Sequence, residues 1–280
     1  MKATEWRWTS GDGLEMQARE WLPAGPKRGL VVLVHGFDEH GDRYPHVGAV
    51  LADAGFALCS YDVRGHGRSG GRRVHADHYG LLMEDLGTFL DLASARHHGL
   101  PRFLYGHSMG GNQVLNFLLR RGPKLDGAIV SSPWLELAVT PPAWQVAAAR
   151  VAARLLGGVA LPTGLDSGGI SRDLEVVKAY DADPLVQGKI TPRLLVGVLD
   201  AGQWALQHAG ELAVPLLLMH GDSDQVTSYA ASQRFARAAG AGVTFRGWPG
   251  CFHELHNEPE KAEVLKVITD WLGARVSSGS

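Results

Sequence analysis

The sequence predicts an α/β fold: a mostly parallel central sheet flanked by helices, with a helical segment inserted over the sheet's C-terminal edge. Three observations predict it. Short runs without polar alternation, such as Leu30-Val-Val-Leu-Val34 and Phe56-Ala-Leu-Cys-Ser-Tyr61, alternate with stretches of helical apolar spacing. Strand alternating with helix in short units means a parallel sheet covered on both faces. One run, Arg102-Phe-Leu-Tyr-Gly-His-Ser-Met-Gly-Gly111, reaches a serine between small residues and continues into helical spacing, so it reads as strand, sharp turn and helix. The rhythm then stops at Pro133 and returns at Pro215.

Taken in order, Thr4-Glu-Trp-Arg-Trp8 and Glu15 to Leu22 alternate as strands, with Gly11-Asp-Gly13 as the turn between them. Leu30 to Val34 is a buried strand ending in His35-Gly-Phe37. Pro45 to Ala54 reads as helix and Phe56 to Tyr61 as a second buried strand. Asp62-Val-Arg-Gly-His-Gly-Arg-Ser-Gly70 is too glycine-rich for regular structure, and its Asp62 and His66 read as structural. Tyr79 to Arg96 is helical through Leu82, Leu86, Phe89 and Leu90. The serine turn follows, its helix carried by Gln113 to Arg120, then a strand at Gly127 to Val130. Pro215 to Met219, Ser228–Ala239, Val243–Gly247 and Pro259–Leu272 read as strand, helix, strand and helix, and Ser277–Ser280 as a disordered tail.

The expected domain division is therefore 1–133 with 210–280 as the sheet domain, and 134–209 as a helical cap. Within the cap, Ala143 to Leu156 is helical, Gly157 to Gly169 is loose, and the rest reads as helical pieces broken by Pro184 and Pro192. Ligands of open α/β sheets bind at the edge this insert would cover.

Composition narrows the class. The chain has 280 residues, 45% hydrophobic and 20% charged, which suits one large globular unit with an insert. A formal net charge of −2 gives no reason to expect nucleic acid or an anionic membrane as partner. Cys59 and Cys251 could pair, but two thiols in so long a chain need no disulfide. Met1-Lys-Ala-Thr-Glu-Trp6 has no apolar signal core, and no apolar run reaches the roughly 18 residues of a membrane span. The expectation is a cytoplasmic protein, with peripheral membrane contact as the alternative.

The chemistry centres on Ser108. A hydroxyl is a poor nucleophile until a base takes its proton. The chain offers partners in the order serine, acid, histidine. Strand 215–219 runs into His220-Gly-Asp-Ser-Asp224, where Asp222 and Asp224 are both candidates to orient a histidine. Cys251-Phe-His-Glu-Leu-His256 offers His253 and His256 just after the last strand, and His253 would take the Ser108 proton. An oxyanion hole needs two backbone donors. Met109 N–H is one, and Phe37, in the loop after the first buried parallel strand, is the other.

Gly106-His-Ser-Met-Gly110, His35-Gly-Phe-Asp-Glu-His-Gly-Asp-Arg-Tyr44, Asp62-Val-Arg-Gly-His-Gly-Arg-Ser69, Tyr180-Asp-Ala-Asp-Pro-Leu185 and His253-Glu-Leu-His-Asn-Glu258 together resemble the monoacylglycerol lipases and lysophospholipase-like members of the α/β-hydrolases. The resemblance runs from about residue 12 to residue 272. It implies the α/β-hydrolase fold with a cap, a triad of Ser108, Asp224 and His253, and Phe37 as the second oxyanion donor. It also implies that Glu39, Arg43 and His256, with Tyr180 from the cap, meet the polar end of a monoacylglycerol. Where relatives tend to carry a small residue, this chain has Asp38, so Asp38, Glu39 and Asp42 set three acids beside the oxyanion loop and disfavour anionic substrates.

In the cap, Arg150 and Arg154 lie one turn apart among alanines, with Trp144, Val151 and Leu155. Two readings stand: a lid helix packed on the body, or an apolar face that contacts lipid aggregates. The leading expectation is a serine carboxylester hydrolase acting on monoacylglycerols through an acyl-enzyme, with no metal or organic cofactor. Lysophospholipase or general esterase activity is the alternative, and a non-catalytic ligand-binding homologue is the alternative of another class. A serine at the turn, in place of an aspartate, argues against haloalkane dehalogenase or epoxide hydrolase chemistry.

Overall fold

The computed structural model describes residues 3–277. It begins with an antiparallel pair, β1 (Thr4–Thr9) and β2 (Glu15–Trp21), in which Thr4 lies opposite Glu20 and Thr9 opposite Glu15. Then come β3 (Gly29–Val34), α1 (Pro45–Asp53), β4 (Phe56–Tyr61), α2 (Gly80–Arg96), β5 (Arg102–His107), α3 (Met109–Arg121) and β6 (Gly127–Ser131). Between β6 and the next sheet strand lie α4 (Ala143–Leu155), β7 (Leu161–Pro162), α5 (Leu174–Asp181), β8 (Lys189–Ile190) and α6 (Pro192–Gln207). The sheet resumes with β9 (Leu216–Gly221), α7 (Tyr229–Ala239), β10 (Val243–Trp248) and α8 (Lys261–Ser277).

Among the described residues the main sheet has eight strands in the order β1-β2-β4-β3-β5-β6-β9-β10. Every pairing from β4 to β10 is parallel, while β2 joins β4 antiparallel. The lack of polar alternation now has its cause. Along β3, Leu30, Val32 and Val34 pack into one core and Val31 and Leu33 into the other. The first core takes in α2, α3 and α7, and the second takes in α1 and α8. With both faces covered, neither set of alternate side chains meets water.

The elements differ from the sequence reading at their ends. The helix after Ser108 starts at Met109, four residues before the apolar spacing begins, because two glycines open it. Those glycines weaken a helix but are required by packing: a Cβ on Gly110 would collide with the carbonyls of Val34 and His35. The last helix runs on to Ser277, and the rest of the expected tail lies outside the described residues. The insert contains a two-stranded ribbon, β7 against β8, where the sequence suggested a loose stretch over 157–169 and helical pieces after it. Strands of two residues are too short for alternation to reveal. Cys59 and Cys251 are both free and buried.

Buried ion pairs hold the glycine-rich loop after β4. The Arg19 guanidinium, fully buried, donates to Asp62 at 2.5 Å. Asp62 also accepts the backbone N–H groups of Gly41 and Arg68, both at 2.9 Å. Arg64 binds Asp85 at 2.6 and 2.7 Å. The insert is mounted on α3 through asparagine side chains: Asn112 donates to the carbonyls of Trp134 and Val198, and Asn116 to that of Ala201.

Candidate active site

Ser108 occupies the single residue between β5 and α3, with φ 53° and ψ −117°. An L-residue in the left-handed region is strained, so the neighbours must hold it there. They do so with main-chain bonds. Ser108 N–H donates to Ser131 O at 3.0 Å, and its own carbonyl accepts from Asn112 and Trp134 at 2.9 and 3.0 Å. A Cβ on Gly106 would lie 2.5 Å from Gly110 O, so the turn cannot close with any larger residue there.

The C-terminal ends of three parallel strands converge on this serine. His253 lies in the loop after β10, and its Nε2 is 3.0 Å from Ser108 Oγ. Asp224 lies in the loop after β9, and its Oδ2 is 2.8 Å from His253 Nδ1. With Nδ1 donating to the carboxylate, Nε2 is left to accept the serine hydroxyl. Asp224 is itself fixed: Oδ1 accepts the N–H groups of Val226 and Thr227 at 2.7 and 3.0 Å, and Oδ2 lies 3.0 Å from His220 Nε2. Asp222, the competing candidate, is exposed and caps the turn at Gly250 N–H, 2.7 Å away. Of the two carboxylates, only that of Asp224 contacts the histidine.

The electrostatics follow from this packing. Burial pulls the His253 imidazolium down, but the Asp224 carboxylate outweighs it, and the net shift is upward from the ordinary 6.5. Burial pushes the Asp224 carboxyl up, while His253 and His220 together hold it well below the usual carboxylate range. Next to them, burial depresses His107 to about 4, so that ring is neutral.

Two backbone donors stand beside the serine. Among the described residues no acceptor takes the N–H of Phe37 or of Met109. Buried N–H groups are rarely left unpaired. Gly36 allows this approach, since a Cβ there would sit 2.7 Å from Glu39 Oε1 and 3.1 Å from Ser108 Cβ. Ser108 and His253 open into a cavity of about 640 Å³, walled by Phe37, Trp134, α4 alanines, Leu161 to Leu165, Ile190 and Leu199.

The residues expected to meet glycerol divide into two pairs. Glu39 and Tyr180 line the cavity, but Arg43 and His256 do not. Arg43 stands behind the wall. Its guanidinium binds Glu39 at 3.0 Å and Glu254 at 2.6 and 2.9 Å, and lies over the Tyr180 ring at 4.9 Å. His256 is fully buried, stacked on Tyr44 with ring centroids 4.7 Å apart, and packed edge-on to His107 at 4.9 Å. Burial and the nearby histidines keep it neutral. The sequence put these side chains on the right loops but could not tell which turn inward.

The expected acidic field beside Phe37 also needs correction, because none of the three acids is bare. Asp38 accepts two N–H groups of the insert, Glu39 pairs with Arg43, and Asp42 pairs with Arg19 and Arg68. Sequence reasoning missed others. Glu254 lines the cavity, and burial, which raises its carboxyl, is outweighed by Arg43, so it stays below the ordinary range. His220 backs Asp224, a role its spacing of four residues from that acid could have suggested. Ser132, with φ 45°, donates to His253 O at 2.7 Å and so anchors the histidine loop.

A parallel sheet of this order, with a serine on a strained strand-to-helix turn and a histidine in reach of it, defines an α/β-hydrolase of the serine type. A family model described as serine aminopeptidase, S33 matches residues 25–260, and the chain belongs to that family. It is 39% identical over 254 residues to a monoacylglycerol lipase of Mycolicibacterium smegmatis, covering 90% of each chain. It is 30% identical to a human monoglyceride lipase, covering 96% of this chain and 90% of that one. The crystal structure of the Paleococcus ferrophilus monoacylglycerol lipase superposes with a TM-score of 0.83 at 31% identity, over 98% of this chain and all (100%) of the other. The protein is a serine ester hydrolase.

Proposed function

We propose that the protein is a monoacylglycerol lipase, with Ser108 as nucleophile, His253 as general base and Asp224 as the group that orients it. The observation that carries this reading is the relay of 3.0 and 2.8 Å that ends on Ser108 Oγ beside two unpaired N–H groups and an apolar cavity. Ser108 Oγ attacks the ester carbonyl carbon while its proton passes to His253 Nε2. The tetrahedral oxyanion takes the N–H groups of Phe37 and Met109. His253 then gives its proton to the glycerol oxygen as the C–O bond breaks, leaving an acyl-serine. Water attacks that ester, His253 takes its proton and returns it to Ser108, and the fatty acid leaves.

Residues 134–209 serve as the cap, and the acyl chain lies along its apolar wall. Glu39 and Tyr180 meet the glycerol hydroxyls, with Arg43 supporting them from behind and His256 supporting the loop that carries His253. Among the described residues no lysine or arginine lines the cavity, which favours an uncharged glycerol over the phosphate of a lysophospholipid. A peptidase that binds a free α-ammonium would want an unpaired carboxylate there, and both Glu39 and Glu254 are bound to Arg43.

No helix among the described residues is long and apolar enough to cross a membrane. Lipid substrate instead reaches the protein at α4, whose outer face carries Trp144 and Leu155, 69% and 77% exposed. Two free buried thiols accord with a cytoplasmic setting.

The test is Ser108→Ala against 1-monoacylglycerols, lysophosphatidylcholine and p-nitrophenyl esters of graded length. Hydrolysis should fall by several orders of magnitude with the fold intact, and the wild type should prefer monoacylglycerol to lysophosphatidylcholine. Activity within tenfold of wild type would remove Ser108 as nucleophile. Failure of a fluorophosphonate probe to label wild-type Ser108 would favour a non-catalytic binding role.

A further inference from the structure

Asp38 is unlike its neighbours. It directly follows Phe37, its φ is 55°, and its side chain is buried, with the residue only 3% exposed. Its carboxylate turns away from the cavity and toward the insert. Oδ1 accepts Gln187 N–H at 2.8 Å and Oδ2 accepts Gly188 N–H at 2.6 Å. Two consecutive main-chain donors on one carboxylate form a clasp that fixes both position and orientation of the segment they belong to.

What the clasp holds is a wall of the cavity. Gly188 O accepts the N–H of Thr163 at 3.0 Å, and Leu161 pairs with Ile190 across the small ribbon. Leu161, Thr163, Leu165 and Ile190 all line the cavity. The far end of the ribbon is tied down as well, since Thr191 Oγ1 donates to Val74 O at 3.1 Å. Another wall of the cavity, formed by α4, is held more loosely. None of the residues of α4 is buried, and its polar tie is an exposed pair, Arg150 with Asp200.

We propose that Asp38 is a specificity-determining residue: by clasping Gln187 and Gly188 it sets the fixed wall against which the acyl chain packs. The inference rests on the reading that Ser108 cleaves esters whose acyl chain fills this cavity. Asp38 acts through the ribbon and touches no reacting atom, so it is a positioning residue for the distal part of the chain. Without the carboxylate, water takes the two N–H groups and the ribbon is released. A long acyl chain then loses its wall. A two-carbon acyl group never reaches it.

Two variants test this. Asp38→Gly removes the carboxylate at a backbone angle that glycine adopts freely. Asp38→Asn keeps the shape but turns an amide NH2 toward one of the two donors, so it should act in the same direction even where the glycine variant folds poorly. We expect kcat/KM for p-nitrophenyl laurate to fall on the order of 10-fold, the loss of about one well-made hydrogen bond in a constrained site. For p-nitrophenyl acetate it should stay within about twofold, so the laurate-to-acetate ratio is the readout, one that a loss of stability alone would not move. If laurate and acetate fall together, Asp38 acts on the oxyanion loop and the inference is wrong. It is equally wrong if the ratio stays at the wild-type value while only the melting temperature drops. If wild-type Ser108 resists a fluorophosphonate, the ester reading itself falls, a failure visible without any Asp38 variant.

Discussion

At the residue scale the relay makes sharp demands. Removing the Asp224 charge should cost on the order of 10⁴ in kcat, because the histidine loses both its tautomer and its partner for the imidazolium. Asp222→Asn alters a side chain that accepts from Gly250 N–H and Ser223 Oγ on an exposed turn, and should stay within a few-fold of wild type. The same variants carry a pH signature. On the proposed mechanism activity requires neutral His253, whose pKa is raised above 6.5 because Asp224 overcomes burial. The acid limb of kcat/KM should therefore lie above the ordinary histidine range. In Asp224→Asn burial is opposed by the weaker pull of Glu254 and Glu39, so the limb should move to lower pH, and a limb that stays put would mean Asp224 is not what raises His253. His256→Ala makes a second demand. A buried ring stacked on Tyr44 and packed edge-on to His107 would support the loop that carries His253, so monoacylglycerol and p-nitrophenyl ester should lose kcat/KM by the same factor, on the order of 10. A selective loss of the monoacylglycerol would restore His256 as a reader of glycerol.

At the scale of elements, α4 has two faces with different work. Gln145, Val146, Ala148, Ala149 and Ala152 line the cavity, while Trp144, Val151 and Leu155 face outward. Small residues on the inner face leave the volume open, and large apolar ones outside suit a lipid surface. Replacing Trp144 and Leu155 together by alanine should reduce hydrolysis of vesicle-held monoacylglycerol roughly 10-fold or more, from lost apolar burial in the lipid. Hydrolysis of a short water-soluble ester should be unchanged. A matched loss on both substrates would mean that the outer face only supports the helix. This face was partly legible, because the spacing of the apolar residues marks it. The inner face was not, since alanines carry no periodic signal.

For the whole molecule, stability toward acid depends on buried carboxylates. Burial pushes the Asp62 carboxyl up, but its bonds and charge pairing with Arg19 hold it at about 2, against an ordinary 3.8. A depressed value means the contribution is full above the unfolded pKa and is lost as pH falls toward the folded one. The melting temperature should thus decline between about pH 4 and pH 2. Asp62→Asn leaves the fully buried Arg19 without its principal partner and should cost about 3–5 kcal/mol in denaturant unfolding, with a flatter acid dependence. An unaltered unfolding curve would show that Asp42 alone satisfies Arg19.

The sequence alone determined the alternation of buried strands and helices, the turn at Ser108 and the order in which serine, acid and histidine follow parallel strands. These are local: β-branched runs, glycines where a Cβ collides, and charged residues after strand ends are readable one segment at a time. The family resemblance already pointed to Asp224 over Asp222, but only the tertiary structure turned Arg43 and His256 away from the cavity and joined Asp38 to Gly188 across 150 positions of chain. Each of these depends on where a side chain points once distant loops meet. A loop without a repeating pattern does not record that direction, and burial against partners far away in sequence sets it instead.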